Sequence, residues 1–168
     1  MFVSKMCKAR DFKLNHETNP IVLMVIRQAI KDSGITFDLT SHIELWDWLA
    51  HNPGKTKLHY FRLMYKGSDF PKAYCFACEF SHKVVEYIRE HYGKKVIDYI
   101  GSRYRCTDCS VCPFSCDSTE SNCLDGIFEE WAEFTEDYYG DEDNEPIILR
   151  AREIRDFPIR KDAKIPLK

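Results

Sequence analysis

Apolar residues recur at helical spacing in several separate segments, and most of these segments carry residues that favour helix ends. The first helix is predicted from Pro20 to Ser33, because Asn19 can cap it and Pro20 suits the first helical position. Gly34 then supplies a left-handed stop. The apolar run over residues 21–26 also fits a strand, but the capping residues at both ends favour a helix.

Further helices are predicted downstream. One begins at Thr40 or Ser41, where Ser41 and Glu44 have the spacing of a capping box, and ends at Asn52-Pro53-Gly54. Others span residues 81–93, with Ser81 as the cap, and residues 124–139, and the last begins at Pro146. The residues predicted to face inward are Ile43, Trp46, Leu49 and Ala50, then Val84, Val85, Ile88 and Tyr92, then Ile127, Phe128, Trp131, Phe134 and Tyr138, and finally Ile147, Ile148, Ala151 and Ile154.

The pattern does not decide the secondary structure of two segments. Residues 55–67 mix aromatic and basic side chains without a clear period, and residues 96–100 fit a short strand. The pattern as a whole predicts a mainly α protein, with a small α+β fold as the alternative. We expect a single compact domain over residues 1–168, with flexible ends at 1–18 and 159–168.

The cysteine content changes this picture. Eight cysteines in 168 residues are more than a core of this size needs, since a chain of this length can fold without covalent or metal staples. The N-terminus lacks the apolar run of a secretion signal, and the longest apolar stretch is far too short to cross a bilayer. We therefore expect a cytoplasmic protein with reduced thiols, in which clustered cysteines indicate metal binding.

Four of the cysteines form two C-x-x-C motifs, Cys75-Phe76-Ala77-Cys78 and Cys109-Ser110-Val111-Cys112, which thirty residues separate. Two sulfurs at this spacing can approach one ion at about 2.3 Å, and two such motifs complete the tetrahedral set that zinc prefers. We predict a structural Zn²⁺ held by Cys75, Cys78, Cys109 and Cys112, within a zinc-containing core region of residues 45–131. Cys106, Cys116 and Cys123 lie close enough in sequence to replace a ligand, and spacing alone leaves an iron–sulfur cluster open.

No catalytic residue is nominated. The chain lacks H-E-x-x-H and the H-x-E signature of nucleotide deaminases, and its histidines show no mutual metal spacing. His82 follows Cys78 by four residues but falls within the predicted helix. A closed structural site on a protein that is not an enzyme is therefore the favoured interpretation.

The charge is unevenly distributed along the chain. Of the 27 acidic residues, 13 lie between Cys106 and Leu149, where none of the 24 basic residues occurs. Such asymmetry suits a basic or an acidic binding face, and also two ordinary solvated surfaces.

Three stretches together resemble a group of small cysteine-rich proteins of tailed bacteriophages. They are Trp46-Asp47-Trp48-Leu49-Ala50-His51-Asn52-Pro53 with Lys57, then Cys75-Phe76-Ala77-Cys78-Glu79, then Cys109-Ser110-Val111-Cys112-Pro113 with Cys123 and Trp131. The chain departs from that pattern at Tyr60-Phe61, where such proteins often carry Trp-Pro, and in its additional Cys106 and Cys116. The resemblance implies a phage accessory protein made in the bacterial cytoplasm and implies no activity.

We expect a zinc-stabilised, non-catalytic binding module that acts on a host or phage macromolecule, with inhibition of a bacterial defence or metabolic protein as one version. The acidic helix at 124–139 is its predicted contact. One alternative is nucleic-acid binding through residues 55–66, where Lys55, Lys57, Arg62 and Lys66 lie beside Tyr60, Phe61 and Tyr65. The second alternative is a zinc-dependent hydrolase or nuclease.

Overall fold

The computed structural model describes residues 20–67, 70–71, 75–94, 96, 111–114, 127–138 and 143–168. These residues form six helices and include two isolated β-bridges but no extended strand. The predicted mainly α class is therefore confirmed. The helices are α1 (Pro20–Ser33), α2 (Leu39–His51), α3 (Lys57–Met64), α4 (Phe76–Tyr92), α5 (Ile127–Glu136) and α6 (Glu145–Arg155).

Helix α1 has the bounds that its end residues predict. It starts at Pro20 and ends at Ser33, and Gly34 follows in the left-handed region with φ 66°. The Gly34 amide donates to the Ile30 carbonyl at 3.1 Å, which satisfies a carbonyl at the helix end. The buried face of α1 packs against α4.

Helix α2 begins earlier than predicted. Its cap is Asp38, whose carboxylate accepts the Ser41 amide at 3.1 Å, so Ser41 lies inside the first turn. Ile43, predicted to face inward, is 41 % exposed. Trp46, Leu49 and Ala50 are buried as predicted, and His42 and Leu45 complete the buried face in place of Ile43.

Helix α4 also begins earlier than predicted, at Phe76. Ser81, the predicted cap, is a buried residue within the helix, and the actual cap is Cys75. Val84, Val85 and Ile88 are buried as predicted. Gly93, with φ 86°, ends the helix, while Tyr92 is largely exposed rather than turned inward.

Helices α5 and α6 pack against each other, and α6 also packs against α2. Trp131 of α5 is buried, and its ring lies 5.0 Å from that of Trp46 on α2. Ile147, Ala151 and Ile154 bury the inner face of α6 as predicted. Phe134 is 39 % exposed, whereas the neighbouring Thr135 is buried and donates its hydroxyl to the Trp131 carbonyl.

The C-terminal segment 157–168, predicted to be flexible from residue 159, is packed against the core. Phe37 pairs with Leu167 in a parallel bridge, and the Lys168 amide donates to the Phe37 carbonyl at 3.0 Å. Arg160 and Ala163 are buried. The C-terminal segment therefore holds the α1–α2 loop, where the sequence suggests a loose end.

Candidate functional site

The first C-x-x-C motif forms the beginning of α4. Cys75 adopts extended backbone angles, φ −147° and ψ 119°, and its sulfur accepts the Cys78 amide at 3.4 Å. The first amides of a helix have no partner within the helix, so this sulfur takes the place of a capping oxygen. The positive end of the helix dipole favours negative charge here, and a thiolate is the form of cysteine that binds metal.

The second motif is described through Cys112, which lies in the short segment 111–114. Cys112 is only 2 % exposed. On one side the Ser81 hydroxyl donates to the Val111 carbonyl at 3.4 Å, which ties this segment to α4. On the other side the Arg160 amide donates to the Pro113 carbonyl at 3.0 Å.

These contacts bring the two motif segments together. Ser81 follows Cys78 by one helical turn, so Val111 lies beside the part of α4 that begins at the first motif. Phe114 adds an antiparallel bridge to Ile159. Segment 111–114 is thus held between α4 and the C-terminal segment.

Three of the four nominated metal ligands belong to the part of the chain that the structure describes. Cys75, Cys78 and Cys112 belong to the described residues, whereas Cys109 and its possible substitutes Cys106, Cys116 and Cys123 lie outside them. Among the described residues, no three histidine, cysteine or acidic side chains are grouped so that they could hold a metal ion. The donor chemistry nevertheless fits zinc, because two thiols lie at one helix start and a third on the segment docked against that helix.

His42 is a core residue that the sequence analysis did not single out. Its Nε2–H donates to the Ile154 carbonyl at 3.1 Å, and its ring lies 4.9 Å from that of Phe114. Burial lowers the pKa of His42, and the hydrogen bond to the Ile154 carbonyl opposes this shift more weakly. The spacing of His42 with Leu45, Trp46 and Leu49 was the sequence signal for its burial.

The C-terminal segment is the second feature that was missed. The buried Arg160 guanidinium forms a bidentate ion pair with the Asp162 carboxylate, through Nε at 2.7 Å and Nη2 at 2.6 Å. This pairing lowers the pKa of the Asp162 carboxyl. The available sequence signal was the recurrence of apolar residues along this segment, at Phe157, Ile159, Ala163, Ile165 and Leu167.

The aromatic and basic stretch at 55–66 includes helix α3. Tyr60 and Phe61, nominated for base stacking, are buried, and burial raises the pKa of Tyr60 to about 12. The Lys57 ammonium lies 4.3 Å from the centre of the Phe128 ring, a cation–π contact with α5. The rings of Tyr60 and Phe61 are therefore packed within the core and do not present their faces to a nucleic-acid base.

One carboxylate of the acidic helix α5 takes part in an ion pair with α6. The Glu130 carboxylate pairs with the Arg150 guanidinium of α6 at 2.6 Å, and Arg150 also pairs with Glu153. Glu133 and Glu136 are exposed on the surface of α5. A partner could therefore meet these two carboxylates, while Glu130, although 48 % exposed, also serves the contact between α5 and α6.

Comparison with known proteins yields no match, whether to protein-family models, to curated proteins or to solved structures. In the part of the chain that the structure describes, no helix has both the length and the apolar character needed to cross a membrane. The function must therefore be inferred from the side chains themselves.

Proposed function

We propose that this protein is a non-catalytic binding module whose fold is fastened by a structural zinc ion at Cys75, Cys78, Cys109 and Cys112. The observation that supports the proposal is the docking of segment 111–114 against α4 beside the first C-x-x-C motif. A bound zinc ion would supply a tetrahedral cross-link between thiolates. The chain's own part is to present those thiolates from two segments that are distant in sequence.

Hydrogen bonds position both described parts of the proposed site. Cys75 is fixed as the cap of α4 through the Cys78 amide. Cys112 is fixed because its neighbours Val111 and Pro113 are hydrogen bonded on opposite sides. Hydrogen bonds of the protein itself thus fix the backbone that carries these sulfurs, which lowers the ordering cost of binding a metal.

The binding role is proposed from the exposed surface of α5. The exposed carboxylates of Glu133 and Glu136 on α5 suit a basic partner. The resemblance to cysteine-rich phage proteins suggests that the partner is a macromolecule of an infected bacterium. A bacterial defence or metabolic protein is one specific candidate. The zinc hydrolase alternative has no nominated residue to perform the chemistry, and nucleic-acid binding would have to proceed without Tyr60 and Phe61.

Metal analysis of the purified full chain tests the zinc part of the proposal. We expect about one zinc ion per chain in the parent, in keeping with a single four-thiolate site. Cys75→Ser and Cys112→Ser should lose the metal and unfold at lower temperature. Serine is itself a good helix cap, so Cys75→Ser keeps the capping role and removes the metal ligand.

Cys7→Ser is the matched control, because Cys7 belongs to neither motif. It should keep both the zinc content and the unfolding temperature of the parent. A parent that binds no zinc after expression in zinc-supplemented medium would contradict the proposal. Full zinc retention by both Cys75→Ser and Cys112→Ser would contradict the assignment of the ligands.

A further inference from the structure

Four basic side chains lie where the C-terminal segment runs beside α1. Arg27 and Lys31 stand on successive turns of α1. Lys161 and Lys164 begin and end a turn of the C-terminal segment, in which the Lys164 amide donates to the Lys161 carbonyl at 3.4 Å. All four residues are exposed, and we call them the basic strip.

Two hydrogen bonds place the C-terminal segment alongside α1. The Arg27 Nε–H donates to the Asp162 carbonyl at 2.5 Å. Further along, the Phe37 amide donates to the Pro166 carbonyl at 2.9 Å. The chain over residues 162–166 therefore follows the second half of α1 and the loop after it, so the two lysines of the basic strip lie beside its two α1 residues.

The side chains of the basic strip form no ion pair with another residue that the structure describes. The neighbouring Asp162 carboxylate is bound by Arg160, so this pair adds no net charge. Near the end of α1, Asp32 accepts hydrogen bonds from Gln28 at 2.7 Å and from the Tyr92 hydroxyl at 3.4 Å. Four cations and the one carboxylate of Asp32 give a net charge of +3, which favours an anionic partner.

The composition of the basic strip favours phosphates over the carboxylates of a protein. Arginine recognises carboxylates through two parallel N–H donors. Arg27 donates its Nε–H to the Asp162 carbonyl, so its side-on pair of donors is not free for a carboxylate. The other three residues are lysines, which bind as point charges and suit the dense phosphates of a nucleic acid.

The surroundings of the basic strip favour a duplex over a single strand. Proteins that bind single strands stack successive bases on several aromatic rings. The one aromatic residue of α1 and the C-terminal segment, Phe157, is buried, and Tyr92 is a single ring at one end of the strip. Duplex RNA is recognised over a long span of about 16 base pairs, whereas Arg27 and Lys31 are separated by a rise of only about 6 Å.

We infer that the basic strip binds the phosphate backbone of duplex DNA without reading its sequence. Such contacts position a protein on DNA and carry no base specificity. The inference goes beyond the proposed function, which concerns the zinc site and the exposed carboxylates of α5. It also assigns nucleic-acid binding to a surface other than residues 55–66.

Fluorescence anisotropy of a labelled DNA duplex, titrated with the zinc-supplemented full chain, tests the inference. Because each phosphate contact releases counterions, four contacts should give a slope of about −3 to −4 for log affinity against log salt concentration. A single strand of the same length should bind more weakly. No binding at about 50 mM salt, or equal or tighter binding of the single strand, of duplex RNA or of a polyglutamate peptide of equal charge, would overturn the inference.

Two double variants locate the contact. Lys161→Gln combined with Lys164→Gln should make the salt slope shallower by about 2 and weaken binding about tenfold at low salt. Lys55→Gln combined with Lys66→Gln is the matched control, because it makes the same change of charge at two exposed positions outside the basic strip. The control should keep the parent's slope, and equal losses in the two double variants would refute the assignment.

Zinc content and thermal unfolding are measured on the same samples, and both double variants should match the parent in both. A chain that holds zinc but does not bind the duplex contradicts the inference about the basic strip alone. A chain that binds the duplex through the basic strip but holds no zinc contradicts only the metal part of the proposed function.

Discussion

At the scale of single residues, long-range neighbours give several side chains roles that their sequence context hides. His42 looked like an ordinary polar position on α2, yet it is buried among Phe37, Trp46 and Phe114. Its Nε2–H bonds the Ile154 carbonyl of α6. The helical spacing of His42 is visible in the sequence. The distant carbonyl that accepts a hydrogen bond from its buried ring is not.

The burial of His42 predicts that acid destabilises the protein. Its pKa in the folded chain is lowered from 6.5, so below about pH 6.5 the unfolded chain binds a proton that the folded chain resists. The stabilisation is thus complete above that pH and is lost as the pH falls toward the lowered value. Between pH 7.5 and 5.5 we expect a loss of up to about 1.4 kcal/mol from this group.

Urea unfolding of the parent and of His42→Gln at the two pH values measures this contribution. The parent should lose more of its free energy of unfolding than His42→Gln, since the variant lacks the titrating group. Loss of metal at the lower pH would affect both proteins and cancels in the comparison. An identical pH dependence in the parent and in His42→Gln would refute the prediction.

At the scale of elements, helix ends that are set by local residues were predicted well. Both bounds of α1 follow from Pro20 and Gly34, which act through their own backbone preferences. The start of α4 was missed because a cysteine sulfur is an unusual cap, and Ser81 two turns later had the more familiar pattern. The start of α2 was missed because Asp38 and Ser41 are both good caps, and only one of them adopts the cap position.

The loop between α2 and α3 makes a contact that local patterns do not reveal. Gly54 has φ 77°, and a Cβ atom built at this position would lie 2.1 Å from the Tyr138 ring at the end of α5. The sequence Asn52-Pro53-Gly54 predicts the turn but not the ring beside it. Glycine is therefore required here both for its backbone angle and for its lack of a side chain.

Gly54→Ala should destabilise the protein more than Gly34→Ala. Both glycines have positive φ, but nothing lies within 4 Å of a Cβ atom at Gly34. We expect Gly34→Ala to cost about 1 kcal/mol, and Gly54→Ala about 1–3 kcal/mol more because the ring must move. Chemical denaturation measures the difference, and equal losses in the two variants would show that Tyr138 does not crowd Gly54.

At the scale of the whole molecule, the uneven charge along the chain is partly neutralised by folding. Arg150 of α6 binds Glu130 of α5, and Arg155 of α6 binds Asp47 of α2 at 2.7 Å. The acidic segment and the basic remainder therefore meet at the pair of Glu130 and Arg150. The sequence counts these charges correctly, but it does not show which of them pair.

The candidate site depends on the same long-range assembly. The spacing of Cys75 and Cys78 is visible in the sequence, whereas the contacts of Val111 with Ser81 and of Pro113 with Arg160 join segments far apart in the chain. The C-terminal segment, predicted to be flexible from residue 159, thus helps to position Cys112.

X-ray absorption at the zinc edge of the purified full chain tests the central claim most directly, because it identifies the atoms bound to the metal. If the two motifs close one structural site, the spectrum should fit four sulfur neighbours at about 2.3 Å. The Cys112→Ser variant, supplied with the same amount of zinc, should not reproduce this four-sulfur shell. A parent spectrum dominated by nitrogen or oxygen neighbours at about 2.0–2.1 Å would contradict the claim.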